Sequence, residues 1–293
     1  MNRRMLLTIA SIAFVLASVH IFGQTTQQSE AQEHLTTDAQ VQLATEENTS
    51  VIESTFKIEG DNDIGTGFIL ARPYTEQGRQ RYRPVLVTAA HVLTGNFGEF
   101  VTIRFRRQTV GGAWQELPTR VRVRNGAAPL WQQHADADVA AMYVAVPDGV
   151  LVGDGISTDR LADDAALRSY GIHPGDEVLC DGFPLNSEGP FGFPILRAGR
   201  IASYPILPTA ETKTFLLDFP VFPGNSGGPA YIIKGIRTTA EGRILSYGGK
   251  RLEIVGLVSK ERIFANRIPL GIAEIVHAAL ISETIAQLPP PEQ

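Results

Sequence analysis

Three short segments of the chain carry residue types suited to nucleophilic chemistry. The first is Gly224-Asn225-Ser226-Gly227-Gly228-Pro229. A serine hydroxyl is a weak nucleophile until a base takes its proton, and attack on a carbonyl creates an oxyanion that needs aimed N–H donors. Glycines on both sides allow a sharp turn and close approach to a substrate, which makes the Gly224 and Ser226 amides the candidate oxyanion hole. The second segment is Thr88-Ala89-Ala90-His91-Val92-Leu93. A histidine with a near-neutral pKa accepts and returns a proton near pH 7, and the small residues before His91 leave room for its ring in a cleft. The third is Asp138-Val139-Ala140-Ala141-Met142-Tyr143-Val144. An aspartate heading an apolar strand is buried only against a donor such as an imidazole N–H.

Asp136 is the rival for that carboxylate role. Asp138 is preferred because it abuts the apolar run, whereas Asp136 sits in the polar approach Gln132–Ala137. His134, in the same approach, reads as a surface residue. The histidines are scattered without ligand spacing, so neither a metal site nor a cofactor is expected.

The elements that must position these residues read as strands. From Val51 onward, short apolar runs alternate with Gly, Pro and Asp/Asn punctuation, giving candidates such as Val51–Ile58, Thr66–Ala71, Val85–Thr88, Val139–Val146, Glu177–Cys180, Thr214–Phe219, Pro229–Ile233 and Glu253–Ser259. Many short strands at even spacing, with little helix, predict an all-β sandwich or a pair of barrels. Thr88–Leu93 reads as a short helical turn. Ile272, Ile275, Val276, Ala279, Leu280 and Ile285 recur at helical spacing, predicting a terminal helix over about 272–288 that Pro289–Pro291 stops. Residues 72–84 form a polar insertion, read as a hairpin or a solvated excursion.

Arg3 and Arg4 precede an apolar run from Met5 to about Val19, so residues 1–23 read as a signal peptide or an uncleaved N-terminal anchor. Such an anchor would be the chain's one membrane contact. Residues 24–50, rich in Gln, Thr, Glu and Ala, read as a flexible linker. Residues 289–293 are a tail. The lone Cys180 excludes an intramolecular disulfide and reads as a core residue, and with the leader it points to a bacterial envelope, secreted or periplasmic. A net charge of −5 gives no reason to expect nucleic acid as a partner. The basic clusters Arg104–Arg107 and Arg79–Arg83 read as solvated strand ends or loops.

Taken together, the three segments resemble the trypsin/chymotrypsin-like serine peptidases, most closely the bacterial branch that includes the HtrA (DegP-like) proteases. The chain order His, Asp, Ser fits that clan, at spacings of about 47 and 88 residues. The resemblance runs from Ser54 to Leu288. It includes Gly65-Thr66-Gly67-Phe68-Ile69, Gly175-Asp176-Glu177-Val178 with Gly182-Phe183-Pro184, Gly199-Arg200-Ile201, and Asp218 ahead of the serine.

The resemblance implies two six-stranded antiparallel β-barrels of the chymotrypsin-like type within a protease domain over 51–288. The N-terminal barrel is expected over about 51–150 and the C-terminal barrel over about 170–270, with the terminal α-helix after them. It implies polypeptide substrates and a Ser226–His91–Asp138 triad working through an acyl-enzyme. It also places Val221, Leu257, Val258 and Ser259 at positions that resemble pocket walls. Pro220 stands where a trypsin-like pocket would carry a carboxylate, so the expected cleavage is after small or medium apolar residues. The chain departs from HtrA proteins in carrying no PDZ segment after the helix. The competing reading is a catalytically silent protein-binding or chaperone-like module on the same fold. A dedicated esterase is the third.

Overall fold

The structure, a computed structural model, describes residues 47–291 apart from 62, 96–97, 151, 153–154, 239–243 and 264–268. The expected leader and most of the expected linker lie outside these residues. At the linker's end, residues 47–54 form a helix, α1, so the strand expected from Val51 begins only at Thr55. Val51 is buried in the core, and the Thr55 hydroxyl caps the helix by donating to Val51 O at 2.8 Å.

The first half of the chain supplies β1 (Thr55–Glu59), β2 (Ile64–Glu76), β3 (Arg79–Thr88), α2 (Ala90–Thr94), β4 (Phe100–Gln108) and β5 (Trp114–Arg122). The short strands β6 (Arg124–Asn125), β7 (Ala128–Pro129) and β8 (Gln132–Gln133) follow, and then β9 (Ala140–Tyr143). Seven of these form one antiparallel sheet in the order β5-β4-β1-β2-β3-β9-β8, while β6 and β7 pair with each other. The insertion at 72–84 is a regular hairpin that prolongs β2 and β3, in register from Ala71↔Pro84 to Glu76↔Arg79.

The second half contributes α3 (Asp164–Ser169), β10 (Glu177–Gly182), β11 (Ile195–Ile201), α4 (Thr209–Thr212), β12 (Thr214–Asp218), β13 (Pro229–Thr238), β14 (Ile244–Ile263), β15 (Pro269–His277) and α5 (Ala278–Ala286). Its six strands close into a barrel in the order β10-β11-β12-β15-β14-β13. The fold is therefore mostly β with a C-terminal helix, as expected for a chymotrypsin-like pair of barrels. The hydrogen bonding is asymmetric: the second barrel closes, and the first half is a seven-stranded sheet with β5 and β8 at its ends.

Two apolar cores follow from this arrangement. One fills the closed barrel with Val178, Cys180, Ile201, Phe215, Leu217 and their neighbours. The other fills the first sheet and continues into residues of the second half, including Tyr231, Ile254, Leu257 and the buried face of α5. The helix expected over 272–288 is shorter than the spacing predicts. Residues 272–277 are strand because β15 pairs with both β12 and β14 to close the barrel. Closure satisfies a backbone ladder on each side, which outweighs a helical pattern that six residues share with a buried strand.

The seam between the halves corrects two expectations. Arg106 is not solvated: it is 1% exposed, stacked between the rings of Phe56 and Phe193 at 4.6 and 4.5 Å. It donates to Gly192 O at 2.8 Å and to Thr55 O at 2.5 Å. Carbonyl acceptors and aromatic faces make burial of this cation tolerable. His134 is not a surface residue either. It is 8% exposed, accepts from Asp136 N at 3.1 Å and meets Glu283 of α5 at 3.0 Å, fastening the terminal helix to the first sheet.

His277, at the junction of β15 and α5, is 1% exposed and stacks on Phe215 at 4.8 Å. Among the described residues neither ring nitrogen has a partner. Burial holds its pKa down at about 4, below the ordinary 6.5. A histidine depressed in the folded state is protonated first in the unfolded chain. Its contribution is therefore fully present above 6.5 and is lost as pH falls toward 4. Thermal unfolding across that window should show His277→Leu losing less stability on acidification than the wild type. Parallel curves would show that His277 takes up its proton equally in both states, so that burial does not depress it.

Candidate active site

Each candidate residue sits just beyond the end of a strand, on a turn or helix start that the strand holds in place. β3 ends at Thr88, and the turn Ala89–Ala90 opens α2 with His91 in its first turn; the His91 side chain is 45% exposed. Asp138 lies just ahead of β9, whose residues Ala140–Tyr143 pair with Thr88–Val85 of β3. That pairing brings the two side chains together across adjacent strands.

The contact between them is made at two points. His91 Nδ1 lies 2.7 Å from Asp138 Oδ2, and the backbone N–H of His91 donates to Asp138 Oδ1 at 3.0 Å. A third donor is Ser259 of β14, whose hydroxyl reaches Asp138 Oδ2 at 2.6 Å. Burial alone would raise the Asp138 carboxyl, but the hydrogen bonds from His91 and Ser259 and the His91 charge outweigh it and bring its pKa to about 2. The hydrogen bond to Asp138 raises His91 above its ordinary 6.5, against the opposing effect of burial; Asp63 adds to the rise and Lys260 subtracts from it. Asp136 takes no part: it is exposed and ion-paired with Lys213 at 2.9 Å.

Ser226 stands on a turn pinned from both halves. From the first sheet, Thr66 N donates to Ser226 O at 2.8 Å and Thr66 Oγ1 to Gly224 O at 2.6 Å. From the second barrel, Val258 O accepts from Gly227 N at 2.7 Å. Two glycines make this approach possible. Gly224 has φ +95°, and a Cβ there would lie 2.2 Å from Phe183 O. Gly227 has φ +89°, and a Cβ there would lie 2.1 Å from Thr66 O and 2.9 Å from Ala89 N. Any side chain at 227 would push the serine turn off the strand end that carries His91.

Ser226 Oγ donates to Ser259 O at 2.8 Å; among the described residues this, not the His91 ring, is its partner. Ser259 therefore touches both ends of the constellation, the carboxylate through its hydroxyl and the nucleophile through its carbonyl. Among the described residues no backbone carbonyl accepts from the amides of Gly224 or Ser226, the two expected to form an oxyanion hole.

The positions expected to resemble pocket walls are placed differently from one another. Leu257 packs into the core shared by the first sheet, Val221 and Val258 into the barrel core, and Ser259 is 1% exposed beneath Asp138. The bridging role of Ser259 has no sequence signal beyond a serine closing the apolar run Ile254–Val258. Among the described residues no group of acidic, histidine and cysteine side chains could hold a metal ion.

No family model matches the chain, and no curated protein matches it. Among solved structures it is similar to an inactive serine-to-alanine form of Rv3671c from M. tuberculosis H37Rv, at 16% identity over 83% of this chain and 92% of that one, with a TM-score of 0.42. It is also similar to a human pathogenic astrovirus serine protease, at 14% identity over 77% and 90% of the two chains, with a TM-score of 0.40. A second inactive Rv3671c protease structure matches at 16% identity, covering 83% and 92%, with a TM-score of 0.39.

The electrostatics of the pair give a test that needs no substrate. In Asp138→Asn the hydrogen bond that raises His91 loses its charge while burial still lowers it. The His91 imidazole, followed by NMR titration, should then move from above 6.5 to below it. An unchanged His91 titration would mean that Asp138 does not set its protonation.

Proposed function

We propose that the chain is a serine endopeptidase. The observation that carries this reading is the two-point contact of His91 with Asp138, joined through Ser259 to the Ser226 hydroxyl. Rotation about χ1 releases the Ser226 hydroxyl from Ser259 O toward the His91 ring, whose other nitrogen is fixed on Asp138. His91 takes the proton as Ser226 attacks a peptide carbonyl. Asp138, an anion throughout the working range, holds the ring and stabilises the imidazolium. The Gly224 and Ser226 amides receive the oxyanion. His91 then protonates the leaving amine, and water resolves the acyl-enzyme. No cofactor enters these steps.

The finer reading follows the resemblance to HtrA-type proteases. Pro220, where a carboxylate would select Lys or Arg, favours cleavage after small or medium apolar residues. The Arg3-Arg4 leader pattern and the single cysteine support action outside the cytoplasm, in the periplasm or secreted. The Ser226 hydroxyl's bond to Ser259 O favours one rival, a protein-binding module that does not turn over substrate.

A fluorophosphonate probe separates the two. The peptidase reading expects labelling of the wild type and none of Ser226→Ala; a folded wild type that stays unlabelled supports the binding module. Peptide hydrolysis should fall on the order of 10⁴-fold in Asp138→Asn. Asp136→Asn, which removes only an exposed ion pair, should stay within about twofold of wild type. Because His91 must be neutral to act as base and its pKa is raised, kcat/KM should decline on acidification with a midpoint above 6.5.

A further inference from the structure

Lys57 is a buried cation in the middle of β1. Its neighbours Phe56 and Ile58 belong to the apolar core, and the alternation of a strand turns Lys57 to the other face, toward the second half of the chain. The ammonium donates to Asn186 Oδ1 at 3.1 Å, pairs with the Glu188 carboxylate and stands 5.7 Å from the centre of the Phe183 ring. Glu59 of its own strand is 3.9 Å away and lies nearer to Arg104. Three of these four partners belong to one segment, residues 183–188, which follows β10. Stability does not require the cation, because an apolar side chain of similar length would avoid the desolvation that the pairing offsets. Asn186 and Glu188 are exposed, so solvent can serve both in its place.

The segment that Lys57 holds lies directly against the nucleophile turn. Leu185 N–H donates to Pro223 O at 2.7 Å, and Phe183 O occupies the space that a Cβ on Gly224 would need. The first contact bears on the chemistry. Pro223 C=O and Gly224 N–H share one planar trans peptide, in which they point in opposite directions. Fixing that carbonyl on Leu185 turns the Gly224 N–H, a candidate oxyanion donor, away from the segment. Its direction therefore depends on where Leu185 is placed. Leu185 and Asn186 have φ of +52° and +61°, values that residues other than glycine keep only where their surroundings over-determine them. Lys57 is part of those surroundings: Asn186 and Glu188 stand one and three residues after Leu185.

The other peptide of Gly224 is held from the same place. Lys57 pairs with Thr66 across β1 and β2, so the two side chains share a face of the sheet. Thr66 Oγ1 donates to Gly224 O at 2.6 Å. One cross-strand pair thus reaches both peptides that flank Gly224, Thr66 directly and Lys57 through residues 183–188. Resting on the peptidase reading above, we propose that Lys57 is a positioning residue for oxyanion stabilisation. It touches neither substrate nor reacting atoms. It holds residues 183–188 where Leu185 keeps the Pro223–Gly224 peptide turned to present its N–H to the reaction centre.

The test is Lys57→Met, which keeps the length of the side chain and removes its charge. An oxyanion contact is made in the transition state, so kcat should fall roughly tenfold to a hundredfold, less than deletion of a donor costs, with KM within about twofold of wild type. A peptide boronate, whose tetrahedral adduct places an oxygen where the oxyanion forms, should lose affinity by the same factor as kcat/KM. Binding of the uncleaved peptide to Lys57→Met/Ser226→Ala should match its binding to Ser226→Ala. The thermal midpoint should hold or rise; a loss of kcat that only tracks a loss of folded protein overturns the positioning role. Should Lys57→Met fail to fold, Glu188→Gln at the exposed end of the pair decides, with kcat and boronate affinity expected to fall together by a few-fold. Wild-type kcat and boronate affinity in the folded variant overturn the positioning role and leave the peptidase reading standing. A folded wild type that neither cleaves peptides nor takes the fluorophosphonate label overturns both.

Discussion

A half-buried carboxylate governs this molecule. Asp138 is desolvated enough that burial works against its ionisation, yet three donors hold it at about 2. Two of them come from His91, in the first turn of α2 beside it, and the third from Ser259, 121 residues away in the other half of the chain. Each unmet donor would leave a buried charge less compensated. The carboxylate therefore ties the end of β3 and the start of β9 to β14 in the other half of the chain. The same carboxylate fixes the His91 ring and raises its basicity, so structural constraint and chemical competence have a single origin.

The rest of the seam is built to permit that approach. Glycines at 224 and 227 let backbone carbonyls of Phe183 and Thr66 sit where side chains would otherwise stand. Arg106 crosses from the first sheet to the Gly192 carbonyl through an aromatic sandwich, and Lys57, also buried, reaches Asn186 at 3.1 Å and pairs with Glu188. Polar contacts thus span a boundary that is otherwise apolar. They specify one relative placement of the halves, whereas apolar surfaces alone would tolerate several.

Much of this was legible in the residues. Ser226 and His91 stand out as candidates because their neighbours are small, and small neighbours are a local, readable demand of close backbone approach. The strand-rich texture likewise reflects local punctuation. Other features depend on partners remote in sequence. The apolar run after Asp138 favours it over Asp136 in the sequence, and what the sequence does not reveal is Lys213, 77 residues on, which pairs with the exposed Asp136. Ser259 reads as the end of an apolar strand until its hydroxyl is found on Asp138. Arg106 reads as solvated because nothing local reveals the Phe193 ring and the Gly192 carbonyl that receive it. The residues from Ile272 to His277 fit a helix and a strand equally well, and only closure of the barrel on two sides decides for the strand.

The docking of α5 has a consequence in time. A chain made from its N-terminus completes the strands of the first sheet long before α5 exists. Yet that sheet shares its core with Leu280, Ile281 and Ile285, and His134 waits for Glu283. The last helix is the fastener for the first-made half, and β14 brings Ser259 only shortly before it. His91 and Asp138 are both made before Ser259, which follows Asp138 by 121 residues, and before the barrel that carries Ser226 can close. Vectorial growth thus separates the pair from the serine: His91, Asp138 and Ser226 come together only once β14 and β15 have emerged.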